Sequence, residues 1–172
     1  MQLTRAIFLD RDGVINHDPG DYTRSLAEFQ VLPTVFEALH LLHEAGFKLI
    51  LITNQGGIAK GQYTHSHVEE IHAAFTLACA ERGIEITDIF YSPHHPDFGA
   101  SLSRKPGSLM LEKACAKHHI DASLSWMVGD KERDIEAGRA AGVDGILMPV
   151  NGDLLDLVPR LLQTPPQSLA HA

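Results

Sequence analysis

Short apolar runs that stop abruptly at a polar residue, each followed by a longer stretch of helical period, constrain this chain most. Ala6-Ile7-Phe8-Leu9 ends at Asp10 and reads as a buried strand. Pro33 then opens a helix of about a dozen residues, with Val35, Leu39 and Leu42 as its apolar stripe and Gly46 just past its end. Phe47 to Ile52 is a second strand, stopped at Thr53. Thr64 to Arg82 is the longest helical stretch; Ser66 with Glu69 offers a capping box and Gly83 a stop. Asp88 to Tyr91, Ser125 to Val128 and Gly145 to Met148 read as three further strands. Ser108 to His118, Lys131 to Ala141 and Asp153 to Leu162 read as helices. This alternation predicts an α/β fold, a Rossmann-like three-layer parallel sheet with right-handed crossovers. Residues 1–163 are expected to form one domain, and 164–172 a frayed tail.

In such a sheet, ligands bind outside the carboxyl ends of the strands. The polar residues that follow each apolar run therefore matter most. They are Asp10-Arg11-Asp12-Gly13, Thr53-Asn54-Gln55-Gly56-Gly57, and Gly129-Asp130-Lys131-Glu132-Arg133-Asp134, with Arg104-Lys105-Pro106 ahead of a helix. Carboxylates, a lysine and hydroxyl or amide donors suit a metal ion and a phosphoryl group. Asp10 and Asp12 are two apart, so continued strand geometry would turn both to one side. Two close carboxylates can divide nucleophilic and proton-transfer work, although Asp-x-Asp-Gly also suits a plain turn. Asp130 fits either a helix N-cap or a magnesium ligand with Asp134 one turn behind it. Lys105 is either a solvated lysine or a cation that neutralises a phosphate, and Thr53 and Asn54 are either turn residues or phosphoryl contacts. Gly56 and Gly57 would let backbone come close.

Fourteen basic against 22 acidic residues give a net charge of -8, with no basic block. That balance argues against a nucleic-acid or membrane-surface partner, so an anion must be captured locally. Met1 to Arg5 shows no apolar signal region and no run approaches a membrane span, so a cytoplasmic protein is expected. Cys79 and Cys115 match no metal-ligand spacing and read as reduced core thiols.

Taken together, the ordered set Asp10-x-Asp12, Thr53, Lys105 and Gly129-Asp130-x-x-x-Asp134 resembles the haloacid dehalogenase (HAD) superfamily of phosphatases, over about Ala6 to Met148. The longer runs Phe8 to Asn16, Thr53-Asn54-Gln55, Gly57-Ile58-Ala59, Ser92 to Pro96, Arg104-Lys105-Pro106 and Val128 to Lys131 narrow the likeness to the branch acting on heptose bisphosphates. Histidinol-phosphate phosphatases are close relatives of that branch. The resemblance implies a HAD-like fold without a large cap domain, and hydrolysis of a small sugar phosphate through an aspartyl-phosphate. It implies Asp10 as nucleophile, Asp12 as acid and base, and Thr53 and Lys105 on the phosphoryl group. Asp10, the Asp12 carbonyl and Asp130 would hold Mg2+, with Asp134 in support. Arg11, Asp18, Gly20, Tyr22, Asn54, Gln55, Gly56, Arg104 and Lys131 would contact the rest of the substrate.

One departure stands out. That branch carries a zinc loop from Cys-x-His to Cys-x-Cys, whereas here Ser92, Ser101 and Ser103 occupy the cysteine places, and no structural zinc is expected. The partner is expected to be a small phosphorylated metabolite and the protein a monomer. A phospho-accepting receiver domain would share the sheet, the aspartate, Thr and Lys; Asp12 separates the two, since a receiver has no comparable use for it.

Overall fold

The computed structural model describes residues 4–165. Its strands are β1 (Ala6–Leu9), β2 (Lys48–Asn54), β3 (Ile86–Ser92), β4 (Trp126–Gly129) and β5 (Asp144–Leu147). Its helices are α1 (Val35–Glu44), α2 (His65–Ala80), α3 (Leu109–His118), α4 (Glu132–Ala140) and α5 (Val158–Leu161). The sheet is parallel throughout, in the order β3-β2-β1-β4-β5. The chain builds outward from β1 to β3, then crosses back to lay β4 and β5 on the other side. The direction of winding therefore reverses between β1 and β4, where the following loops part and leave a crevice.

The central strands β1, β2 and β4 are buried on both faces, which is why they read as continuous apolar runs. Ile7, Leu9, Leu49, Leu51 and Val128 pack with Leu39 and Leu42 of α1, Phe75 of α2 and Leu161 of α5. The alternate residues Phe8, Ile50, Ile52 and Met127 pack with Met110, Leu111 and Ala114 of α3 and Ala137 of α4. The expected three-layer architecture holds, and among the described residues no large cap interrupts it.

Several element ends differ from the sequence reading for local reasons. β2 does not stop at Ile52, because Thr53 and Asn54 pair with Tyr91 and Ser92 of β3. Ladder bonds are made by backbone, so polar side chains do not end them. The α2 capping box is not Ser66 with Glu69. Thr64, in extended conformation, accepts from the His67 N–H, and His67 Nδ1 accepts from the Thr64 N–H at 3.2 Å. Ser66 already lies inside the helix. The single helix expected over Asp153 to Leu162 is a 3-10 turn, Leu154–Leu157, that runs into α5. Pro159 lacks an N–H and is tolerated only in the first helical turn, so α5 starts there. From residue 166 on, the expected frayed tail lies outside the described residues. Among the described residues, no helix is long and apolar enough to cross a membrane.

Candidate active site

Asp10 follows β1 directly, and its N–H still bonds the Val128 carbonyl of β4 at 2.9 Å. It therefore stands at the winding reversal, 6% exposed. Opposite it, the Lys105 ammonium is 1% exposed. It donates to Asp10 Oδ1 at 2.8 Å and to the Ile52 carbonyl at 2.7 Å, and forms an ion pair with Asp134, 2.8 Å from its Oδ1. Burial pulls the ammonium down, but Asp10 and Asp134 more than offset it and hold Lys105 above its usual value. Asp10 is pushed up to about 7 by burial, against Lys105, with Asp134 and Asp12 adding repulsion. Oδ1 of Asp10 also accepts from the Arg11 N–H, at 2.8 Å, and neither bond engages Oδ2.

Asp130 is not the cap of α4. That position belongs to Lys131, whose N–H is taken by Asp134 Oδ2 at 3.0 Å. Among the described residues, the buried Asp130 carboxylate has no hydrogen bond to Oδ1 or Oδ2, and the Lys131 ammonium pairs with it, 2.7 Å from Oδ2. Oxygens of Asp10, Asp130 and Asp134 lie within 4.8 Å of one another. A buried carboxylate oxygen without a donor, among hard oxygen donors, fits a divalent cation such as magnesium. Gly13 permits this approach: at φ +89°, a Cβ there would lie 2.6 Å from Asp130 Oδ2.

Asp12 does not follow Asp10 into the metal-side cluster. The chain turns after Arg11, whose carbonyl accepts from the N–H groups of Val14, Ile15 and Asn16. Asp12 is thereby brought beside Arg11 (2.9 Å), Asn16 Nδ2 (3.0 Å) and Gln55 Nε2 (2.9 Å). Burial pushes its carboxyl up, but Arg11, Asn16 and Gln55 outweigh that and hold it below the ordinary carboxylate value.

Gln55, 1% exposed, is the hub of this side. Its Nε2 donates to Asp12 and, at 2.9 Å, to Thr53 Oγ1; its Oε1 accepts from Arg11 Nη2 at 3.2 Å and from the Tyr63 hydroxyl at 2.8 Å. Burial pushes that hydroxyl up to about 12, so it remains a donor. Gly57 makes the room, since a Cβ there would sit 2.2 Å from the Tyr63 ring. Behind Arg11, burial and the guanidinium push His72 down to about 3, so its ring is neutral and Nε2 accepts from Arg11 Nη1 at 3.4 Å.

A cavity of about 240 Å³ opens beside Asp12. Of the expected substrate contacts, Asp18, Tyr22, Asn54, Gln55, Gly56 and Arg104 line it. Arg11, Gly20 and Lys131 do not. Arg11 is 1% exposed and turned inward under Asp12, because its charge is spent on that carboxylate. Gly20 lies on the outer side of its turn, donating to Asp18 Oδ1 at 2.8 Å. Lys131 pairs with Asp130 and reaches to within 3.8 Å of Asp18 Oδ2. Asn54 lines the cavity while its amide brackets the Lys105 backbone.

Sequence reasoning missed Arg133 and Tyr63, which also line the cavity, as does His95, read from the sequence as a loop or substrate-facing residue. Arg133 Nε is buried without a hydrogen bond, and burial together with Arg133 holds the Arg104 guanidinium below its usual value. Two guanidiniums thus share one wall. Asn151 was missed as well: it brackets Asp18, accepting from its N–H at 2.7 Å and donating to its carbonyl at 2.9 Å. The Asn151-Gly152 pair is a turn signal in the sequence, but nothing there says which loop it holds.

A parallel sheet with a buried aspartate at its winding reversal, a lysine on that aspartate and a carboxylate cluster beside it define a HAD-like phosphohydrolase. A HAD-hydrolase-like family model matches residues 102–153. The chain is 38% identical to D-glycero-D-manno-heptose-1,7-bisphosphate 7-phosphatase of Chlorobaculum tepidum, over 86% of this chain and 80% of that protein. It is 40% identical to the corresponding phosphatase of Yersinia pestis, over 83% of this chain and 78% of that protein. Among solved structures, D,D-heptose 1,7-bisphosphate phosphatase from B. bronchiseptica, complexed with magnesium and phosphate, superposes with a TM-score of 0.83 at 31% identity, covering 94% of this chain and 99% of that one. The chain belongs to the heptose-bisphosphate phosphatase family of HAD-like hydrolases. It is a phosphomonoester hydrolase by that membership, which sets aside the receiver-domain alternative.

Proposed function

We propose that this chain removes the 7-phosphate of D-glycero-D-manno-heptose 1,7-bisphosphate in a magnesium-dependent reaction, through a phosphoryl group carried on Asp10. The chemistry rests on one observation above all: Lys105 Nζ lies 2.8 Å from both Asp10 and Asp134, beside the buried Asp130 carboxylate, which accepts no hydrogen bond among the described residues. The substrate rests on the relatives, which bear that name at about 40% identity.

Asp10, the Asp12 carbonyl and Asp130 are the residues that would hold magnesium, with Asp134 behind them. Bound there, the ion offsets the charge of the phosphoryl oxygens against the carboxylates. Asp10 attacks phosphorus; the P–O bond to the sugar breaks as the Asp10 O–P bond forms, and Asp12 gives a proton to the departing oxygen. Asp12 then takes a proton from water, whose oxygen displaces phosphate from Asp10 and restores the carboxylate. The ionised state of Asp12 without substrate suits this second half. For the first half, the negative charge of a bound phosphate beside Asp12 favours its protonated form. Thr53 and Lys105 grip the phosphoryl oxygens, and Lys105 stays charged to do so. Asp18, Tyr22, Asn54, Gln55, Gly56, Arg104 and Arg133 face the rest of the substrate.

The same proposal takes the catalytic unit as residues 1–163, a cytoplasmic monomer with no structural zinc and no nucleic-acid partner. A magnesium-supplemented phosphate-release screen over sugar bisphosphates, histidinol phosphate, nucleotides and phosphoamino acids tests the substrate. The heptose bisphosphate is expected to give the highest kcat/KM. A value about tenfold higher on histidinol phosphate, worth ~1.4 kcal/mol of transition-state preference, would reassign it.

A further inference from the structure

The segment from Ser92 to Lys105 carries Arg104 and His95 to the cavity, yet it has no apolar anchor. Among its residues 93–104 none is buried, and Phe98 and Leu102 stand 68% and 79% exposed. What closes it is a set of hydroxyls. Ser103 Oγ lies 3.1 Å from Ser92 Oγ and 2.9 Å from Ser101 Oγ, and the Ser103 N–H donates to Ser101 Oγ at 3.3 Å. A hydroxyl offers one proton and two lone pairs, so Ser103 Oγ can bond both neighbours at once and is the centre of the set. Ser92 is fully buried at the end of β3, and its carbonyl accepts from the Gln55 N–H at 2.7 Å. The cluster therefore ties the far end of the segment to the strand that also holds the Gln55 hub.

We infer that Ser92, Ser101 and Ser103 form a hydroxyl clasp that positions Arg104 and His95 over the cavity. They are positioning residues, acting through the loop and not on the reacting atoms. Two independent ties bracket Arg104. On one side, Ser103 is held by Ser92. On the other, Lys105 is held through its own backbone by Asn54, at 2.9 and 3.0 Å. Arg104 itself closes the loop, donating from Nη1 to the His94 carbonyl at 2.9 Å. Releasing the clasp should loosen Arg104 while leaving the Lys105 ammonium on Asp10. Substrate binding should therefore suffer and the chemical step should not. This split rests on the substrate reading given above, whereas the existence of the clasp does not.

Ser103→Ala removes the central hydroxyl. Two measurements on the full chain test it, with the melting temperature recorded to show that the variant folds. Backbone hydrogen exchange over 93–104 should quicken about fivefold or more, the factor that ~1 kcal/mol represents. The KM for D-glycero-D-manno-heptose 1,7-bisphosphate should rise by about the same factor with kcat within about twofold, p-nitrophenyl phosphate kinetics should be unchanged, and Ser103→Thr should restore both readouts. Unchanged exchange overturns the clasp. Faster exchange with an unchanged KM, or with an equal loss on both substrates, overturns the positioning role. Should the wild-type protein fail to hydrolyse the bisphosphate, the substrate reading falls and exchange alone decides the clasp. If Ser103→Ala does not fold, Ser101→Ala at the more open end is read in the same way.

Discussion

The side-chain amide of Asn54 brackets the backbone of Lys105, accepting from its N–H at 2.9 Å and donating to its carbonyl at 3.0 Å. β2 thus supplies a template for a residue 51 positions further along the chain. Asn54→Ala is expected to leave the fold intact and to lower kcat by about 10- to 100-fold, since a displacement near 1 Å of a catalytic group has that effect. Steady-state kinetics with circular dichroism checks it, and near-normal kcat would show that Lys105 needs no template.

The carboxylate cluster is expected to depend on magnesium. Chelation should abolish phosphate release, and added Mg2+ should restore it, because the three carboxylates of Asp10, Asp130 and Asp134 otherwise confront the phosphate with two lysines, Lys105 and Lys131, against them. Protein purified without added metal is expected to carry far less than one zinc per chain by elemental analysis, the serine hydroxyls being poor ligands. Stoichiometric zinc would contradict this.

Asp88 on β3 pairs with Lys117 and His118 of α3, each at 2.7 Å. Burial pushes its carboxyl up, but those partners outweigh it and hold it below the ordinary value. A carboxyl depressed in the folded state stabilises above its unfolded value of about 3.9 and loses that contribution as pH falls through the lower, folded value. The melting temperature should therefore drop on acidification below about pH 4, and Asp88→Asn should flatten that limb. An identical acid limb in the variant would remove Asp88 from the account.

Burial pushes the Cys79 thiol up to about 12 and the Cys115 thiol up to about 11. Both remain protonated at neutral pH, and the thiolate is the reactive form. Alkylating reagents should modify the native protein slowly and leave its activity unchanged, as mass spectrometry with an activity assay can follow. Cys79 is buried in the core as expected, whereas Cys115 is half-buried against it; rapid inactivation would contradict the assignment of both as inert thiols.

The sheet was legible because strands buried on both faces leave unbroken apolar runs, and because each run ends where chemistry begins. Asp10, Thr53 and Asp130 were legible for the same reason, each sitting at or next to such an end, whereas Lys105 was legible from the Arg104-Lys105-Pro106 run ahead of a helix. The inward turn of Arg11 was not, since an arginine beside a phosphate site reads as a substrate contact until the chain is seen to fold it under Asp12. Arg133 and Tyr63 were hidden in helical or loop context, where a charged or aromatic residue has many ordinary uses. The Asn54 and Asn151 brackets join segments more than fifty residues apart in the chain, a separation over which local pattern carries no information.

Acid-quenched single turnover with substrate radiolabelled in the cleaved phosphate tests the central assignment most directly. The label is expected on the peptide containing Asp10, transiently in the wild-type protein, longer-lived in Asp12→Asn and absent in Asp10→Asn. Label on any other residue, or phosphate released with no labelled protein at any time point, would contradict Asp10 as the nucleophile.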